Sequence, residues 1–397
     1  MRINTGNGNY ITIWAMIGIW SVSALTSLPG LAISPILGDL TTIFKQATDF
    51  EIQMLTSLPS LLIIPFILLA GRMSETIGYI RMLYMGLTIF LLSGILYFLC
   101  GTITELILVS VLLGIGAGII TPLSTSLVSR FFVGVERTKQ FGYCSAINNL
   151  TLVAATFLTG YLAEIEWRLP FIVYLLPAIS LPLVHFIKSA DSNSVNKDAT
   201  PSFVGLNSYH IDYKALLRLM LYYLLITFLV MAITINLPFL MSRYGFSSGE
   251  SGDVISLFFL FIMLPGFFLN RLVSVIKVKL FEICLLFIGC GLLVIFFNSS
   301  LVGIVIGVLL VGFGYGVAQP CLYDRAATTA TGTGITYALA LLMVMNYVAI
   351  VISLPVIDFL QNLSGVKNER FAFALNFFIS IAAFVFLLLR GTFFKKK

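Results

Sequence analysis

Gly114-Ile115-Gly116-Ala117-Gly118-Ile119-Ile120-Thr121-Pro122 and Gly312-Phe313-Gly314-Tyr315-Gly316-Val317-Ala318-Gln319-Pro320 share one pattern, GxGxGxxxP, and stand half the chain apart. A single such run says little, because small residues are common wherever helices pack closely in lipid. Two nine-residue matches at equivalent places in two halves point to an internal duplication. Three glycines thin a helix face, and the proline removes a backbone donor and weakens the helix just beyond them. The pattern therefore suits a helix that packs tightly and bends. Gly114, Gly118, Pro122, Gly312, Gly316 and Pro320 are its key positions.

The rest of the chain supports membrane burial of both copies. Of 397 residues, 59% are hydrophobic and 10% charged, with a mean hydropathy of +1.04. A soluble domain carries roughly 25% charged residues, so lipid must be the solvent for most of this surface. A bilayer core about 30 Å thick needs roughly 20 apolar residues per helix. That window gives spans near 13–37, 52–71, 80–100, 104–128, 142–163 and 168–187, then 215–241, 253–270, 280–298, 301–321, 335–357 and 371–390. Each glycine motif falls in the fourth span of a set of six. The first spans of the two sets also share a Leu-Pro step, Leu28-Pro29 and Leu237-Pro238. An even number of spans per set makes the repeat parallel, unlike odd-numbered inverted repeats. The expected fold is an all-α membrane protein of twelve transmembrane helices. It comprises a six-helix bundle over 1–187, a linker over 188–213 and a second bundle over 214–397. The first apolar stretch is too long for a cleavable signal and reads as a retained helix.

Basic residues test this topology. With the amino terminus inside, only Lys45, Arg168, Arg243, Lys367 and Arg370 fall outside, of 23 Lys and Arg. A miscounted span would invert every later loop and spoil that asymmetry. Both termini are expected in the cytoplasm, in a multi-pass protein of the cytoplasmic membrane. The net charge of +6 comes from these scattered loop residues. It makes no basic face, so nucleic acid is excluded as a partner. Cys100, Cys144, Cys284, Cys290 and Cys321 have neither metal nor disulfide spacing and are expected to be buried packing residues. No metal site, cofactor or catalytic constellation follows from the sequence, and no enzyme is expected.

Twelve helices as six plus six, cytoplasmic ends and a polar central linker together resemble the major facilitator superfamily. After the second span, Gly71-Arg72-Met73-Ser74-Glu75-Thr76-Ile77-Gly78-Tyr79-Ile80-Arg81 is similar to that family's signature loop. Gly71, Glu75 and Gly78 keep its spacing, with Glu for the usual Asp, while Arg72 and Arg81 leave positive charge nearby. The resemblance implies that this loop latches one half of the protein to a facing helix end, where an acid meets the helix dipole. Gly142 to Phe171, with Gly160 and Trp167-Arg168-Leu169-Pro170-Phe171, resembles bacterial drug/proton antiporters. Two departures stand against that likeness. The fifth-span Gly-Pro-x-x-Gly-Gly signature is replaced by Thr156–Tyr161 (TFLTGY), and the family's fourth-span Arg is Ser110.

The fold so implied binds small molecules near the membrane midplane, between its halves, and rocks around them. Ionisable residues at depth would be functional candidates, but the central parts of all twelve spans lack them. Polar, uncharged and aromatic residues take their place: Ser23, Thr26, Asn148, Asn149, Asn236, Tyr315, Gln319, Asn346 and Tyr347. Together they would line an apolar cavity with a few hydrogen-bonding groups, suited to amphipathic cargo. Individually, each could equally bridge two helices. For proton coupling, Asp253 and Asp324 are the nearest acids, with Asp39 or Glu164 as outer-side alternatives. The expectation is a single-chain secondary transporter exporting small amphipathic molecules against protons. A facilitator or importer of a neutral nutrient is the alternative. A non-transporting sensor or lipid-handling protein is disfavoured by a linker too short to hold a signalling domain.

Overall fold

The computed structural model describes residues 2–5, 10–132, 134–194, 211–265, 279–330, 334–365 and 368–389. Ten stretches among these are helices long and apolar enough to cross a membrane. Each matches an expected span. The first and eighth spans are represented among the described residues by shorter helices, so each of the twelve expected spans contains a helix. Most of the linker, residues 195–210, lies outside the described residues.

The N-terminal half opens with a small feature that hydropathy did not signal. Strands β1 (Arg2–Asn4) and β2 (Tyr10–Thr12) pair antiparallel, and Ile11 is buried. The helices that follow are α1 (Ile13–Ala24), α2 (Leu37–Ile43), α3 (Asp49–Ile77), α4 (Tyr79–Leu99), α5 (Ile103–Phe131), α6 (Gly134–Ile165) and α7 (Pro177–Ser194). The C-terminal half contains α8 (Tyr213–Ile235), α9 (Leu237–Arg243), α10 (Ser248–Met263), α11 (Leu280–Phe297), α12 (Leu301–Thr328), α13 (Gly334–Ser364) and α14 (Phe371–Leu389).

The first span is not the continuous helix expected over 13–37. α1 stops at Ala24, a run of turns follows, and Gly30 adopts φ +83° before a 3-10 turn at Ser34–Ile36. Pro29 cannot donate a ladder hydrogen bond, and Gly30 supplies a left-handed backbone at little steric cost. The seventh span also breaks at its Leu-Pro step, where α8 ends at Asn236 and α9 begins with Pro238 in its first turn. The sequence match between these steps thus marks a shared break near the end of each half's first helix.

The chain forms two compact units. One comprises Met1–Ile33 and Ile43–Asn207; the other comprises Ser34–Thr42 and Ser208–Lys397. The short piece Ser34–Thr42 leaves the N-terminal half because the break at Pro29-Gly30 frees it to pack beside α9 and α10.

Within the first unit, the glycines of α5 serve two neighbours. A Cβ on Gly114 would stand 2.7 Å from the Pro59 carbonyl oxygen, and one on Gly118 would stand 2.6 Å from Phe66 Cβ, both on α3. Between them, Gly116 faces α4, 2.7 Å from the Phe90 nitrogen by the same construction. The second unit repeats this arrangement. Gly312 and Gly316 face Phe258 and Ile262 of α10, and Gly314 faces the Cys284 carbonyl of α11. The motif therefore thins two helix faces rather than the one expected, because successive odd positions turn by about 200° on an α-helix.

The signature loop takes a single-residue turn. Gly78 separates α3 from α4 at φ +94°, and a Cβ added there would meet nothing within 4 Å, so the glycine is required by conformation and not by space. Gly71 lies within α3, the Glu75 side chain lies outside the described residues, and Arg81 is exposed. Four of the five cysteines are buried, whereas Cys290 on α11 is exposed, correcting the expectation for that residue.

Candidate functional site

In the first unit, the polar residues expected to meet cargo join α1, α5 and α6. Ser23 Oγ lies 2.8 Å from Ser124 Oγ. Thr26 Oγ1 donates to the Ser23 carbonyl at 2.9 Å and also reaches Asn148 Oδ1 at 3.4 Å. Asn148 Nδ2 donates to Ser27 Oγ at 2.7 Å. One turn away, Trp20 Nε1 donates to Gln140 Oε1 at 3.0 Å. Asn149 turns away from this set and donates to the Ser145 carbonyl of its own helix.

The second unit joins α8, α12 and α13 in the same manner. Thr227 Oγ1 donates to Asn346 Oδ1 at 3.3 Å, and Tyr315 OH donates to the same oxygen at 3.3 Å. Gln319 Nε2 donates to Tyr223 OH at 3.1 Å, and Tyr223 OH lies 3.3 Å from Tyr323 OH. Tyr347 packs instead against Met231, Ile235 and Ile350. Asn236, half-buried, caps α8 at its junction with α9.

The two sets correspond through the repeat. The residue spacing that separates Gly114 from Gly312 also separates Asn148 from Asn346. In each unit the asparagine's side-chain oxygen accepts from a threonine of the first span, Thr26 just beyond α1 and Thr227 on α8. Sequence reasoning named both asparagines as candidates for contact with cargo but not this relation. It also missed Trp20, Ser27, Ser124, Gln140, Tyr223, Thr227 and Tyr323. One signal was available: Tyr315, Gln319 and Tyr323 recur every four residues and so share a helix face. The partners on other helices carried no such signal.

Chemically, both sets offer hydroxyls, amides and aromatic rings, and no formal charge. Hydrogen bonds between polar side chains in lipid average about 0.6 kcal/mol each. Such bonds are weak enough to be exchanged for bonds to a bound molecule. Among the described residues, no group of three or more His, Cys, Asp or Glu is placed to hold a metal ion. The expected coupling acids lie at helix ends, Asp253 half-buried near the start of α10 and Asp324 exposed near the end of α12.

Comparison with known proteins agrees with this architecture. Residues 15–354 match the family model of the Major Facilitator Superfamily. The quinolone resistance protein NorA of Staphylococcus aureus is 26% identical over 132 residues, 32% of this chain and 34% of that protein. The multidrug transporter protein MdtP of Bacillus subtilis is 31% identical over 109 residues, 27% of this chain and 20% of its own. These matches thus span about a third or less of the relatives' length. Among solved structures, a peptide transporter, POT, superposes with a TM-score of 0.74 at 14% identity, covering 94% of this chain and 93% of that one. The human organic anion transporter MFSD10 gives 0.67 at 18% identity, covering 94% and 99%. At these identities the structural likeness is one of fold. The glycine packing repeated in the two units, the helices long and apolar enough to cross a membrane, and the family match lead to one conclusion: this chain belongs to the Major Facilitator Superfamily.

Proposed function

We propose that the protein exports small amphipathic molecules across the cytoplasmic membrane by alternating access, driven by the proton gradient. One observation carries the reading. Polar but uncharged side chains and aromatic rings from three helices cluster in each unit, among spans otherwise apolar. A strongly anionic cargo would need a buried Arg or Lys beside it, since an unpaired charge in a low-dielectric environment costs several kcal/mol. Amphipathic cargo needs apolar area and a few exchangeable hydrogen bonds, which Ser23, Thr26, Asn148, Tyr315, Gln319 and Asn346 supply. The drug-export names of NorA and MdtP support the direction. The basic-residue asymmetry supports cytoplasmic termini. Pro122 and Pro320 each remove a backbone donor inside α5 and α12, which supports bending of these helices during transport.

The missing fifth-span antiporter signature favours a second reading, facilitated entry of a neutral nutrient. The two readings are separated by loading cells with a chemically varied compound panel, with and without the protein and with and without an uncoupler. Export predicts lower accumulation that the uncoupler abolishes. Higher accumulation of one compound, unaffected by the uncoupler, would establish the second reading and reject the first.

A further inference from the structure

We propose that Trp20 selects the cargo, laying the face of its indole against flat aromatic rings, and that Gln140 is the residue that positions it. This inference rests on the amphipathic-cargo reading above and narrows that class to molecules with a planar aromatic ring system.

The starting observation is a line of contacts between the first span and α6. Gln140, Cys144 and Asn148 recur every four residues and so share one face of α6. Asn148 serves Thr26 and Ser27, and Gln140 serves Trp20. Gln140 is only 4% exposed. Its Oε1 accepts the indole N–H at 3.0 Å, and its Nε2 rests on Met16 Sδ at 4.0 Å. Both ends of the amide are thus committed, and the indole is held by its single donor. Trp20 is half-buried, and its ring meets that of Tyr143 edge to face, with 5.9 Å between centroids and 67° between planes. Such a pair forms a corner and not a closed stack. Tyr143 is 52% exposed, so the corner is not sealed inside the bundle.

The internal repeat separates a binding role from a packing role. The spacing that relates Asn148 to Asn346 places Ala338 where Gln140 stands, and Ala338 is fully buried. Leu221 keeps the distance from Thr227 that Trp20 keeps from Thr26. An alanine and a leucine cannot form the indole–amide bond. A bond needed only to join the first and fifth spans would recur with the asparagines, and this one does not. Burying an amide costs free energy unless it is hydrogen-bonded. Here its bond presets an aromatic ring, and a preset ring binds at a lower entropic cost than a mobile one. Trp20 and Gln140 also precede the other polar residues on their helices, which both start from the side expected to be cytoplasmic. Cargo leaving the cytoplasm therefore meets this corner before Ser23, Thr26 and Asn148.

The test measures transport kinetics of the purified full chain in proteoliposomes under an imposed proton gradient, with norfloxacin and erythromycin as probes. Both are amphipathic amines, and only norfloxacin has a flat aromatic ring system. Trp20→Leu should raise the KM for norfloxacin about 2–10-fold, the range of one aromatic pair. Its maximal rate and both erythromycin constants should stay unchanged. Trp20→Phe, which keeps a ring and loses the donor, should raise that KM less. Gln140→Leu should raise it in the wild-type background and have no effect beside Trp20→Phe, where there is no N–H to hold. These two milder variants carry the test if Trp20→Leu does not fold. Unchanged constants, a KM that shifts equally for both probes, a loss confined to the maximal rate, or additive effects of Trp20→Phe and Gln140→Leu would overturn the proposal and leave the pair a helix bridge. Wild-type protein that moves erythromycin and not norfloxacin would overturn it alone. Wild-type protein that moves neither probe would remove the amphipathic-cargo reading, and this inference with it.

Discussion

Gly38 lies directly against Pro238: a Cβ added to Gly38 would overlap the Pro238 carbonyl oxygen and stand 2.7 Å from Ser242 Cβ. The segment Ser34–Thr42 is thus seated on α9 by a position that tolerates no side chain. Gly38→Leu should unseat it. Overpacking a close helix contact costs about 1–3 kcal/mol, and this one involves rigid backbone. The melting temperature of the purified variant should fall, and transport with it. An unchanged melting temperature would show that the segment is not held there.

The glycine motifs and the loop glycine make opposite demands, which substitutions should separate. Gly316 packs against the Ile262 carbonyl, whereas Gly78 has open space but φ +94°. Gly316→Ala should therefore destabilise by collision, and Gly312→Ala less, since its nearest atom stands at 3.0 Å. Gly78→Ala should cost about 1–2 kcal/mol through its left-handed backbone alone. Gly78→Asn should recover none of that loss, because ψ 135° lies outside the left-handed helical well that Asn tolerates. Thermal unfolding of the four variants in detergent checks the order.

Asn148 and Asn346 are predicted to matter more for transport than for stability. Each makes hydrogen bonds typical of lipid-buried side chains, worth about 0.6 kcal/mol apiece. Asn148→Ala and Asn346→Ala should each lower the melting point only slightly. Each should nevertheless change which members of a compound panel are moved. A large loss of stability with an unchanged compound profile would make both residues helix bridges and nothing more.

An ion pair on α9 is predicted to contribute little. Arg243 Nη2 and Glu369 Oε1 are 2.7 Å apart, but the arginine side chain is 67% exposed. Exposed pairs are worth about 0–1 kcal/mol and are screened by salt. Beside it, Arg370 donates to Tyr244 OH and sits over its ring. Glu369→Gln should lower the melting temperature marginally at low salt and not at high salt.

Much of this was legible in the sequence because lipid imposes a simple rule: a stretch of about 20 apolar residues must be a helix. The spans, the repeat and the asparagines followed from that rule and from counting. What stayed hidden depends on which helices meet. The break at Pro29-Gly30 placed Ser34–Thr42 with the second unit, and hydropathy reads straight through it. The two-faced packing of Gly114, Gly116 and Gly118 needed the positions of α3 and α4. Glu282 stands three residues into α11 as Glu105 does in α5, yet it alone of the two is buried, and burial is not visible in one dimension. The bonds from Thr227 and Tyr315 to Asn346 join helices far apart in sequence, and no local pattern announces them.

Export driven by protons is tested most directly in proteoliposomes containing the purified chain and a fluorescent quinolone, with a proton gradient imposed across the membrane. The account predicts that the quinolone moves opposite to the protons, accumulates against its own gradient, and stops when an uncoupler collapses the proton gradient. Movement only down the compound's own gradient, at the same rate with and without the proton gradient, would contradict it.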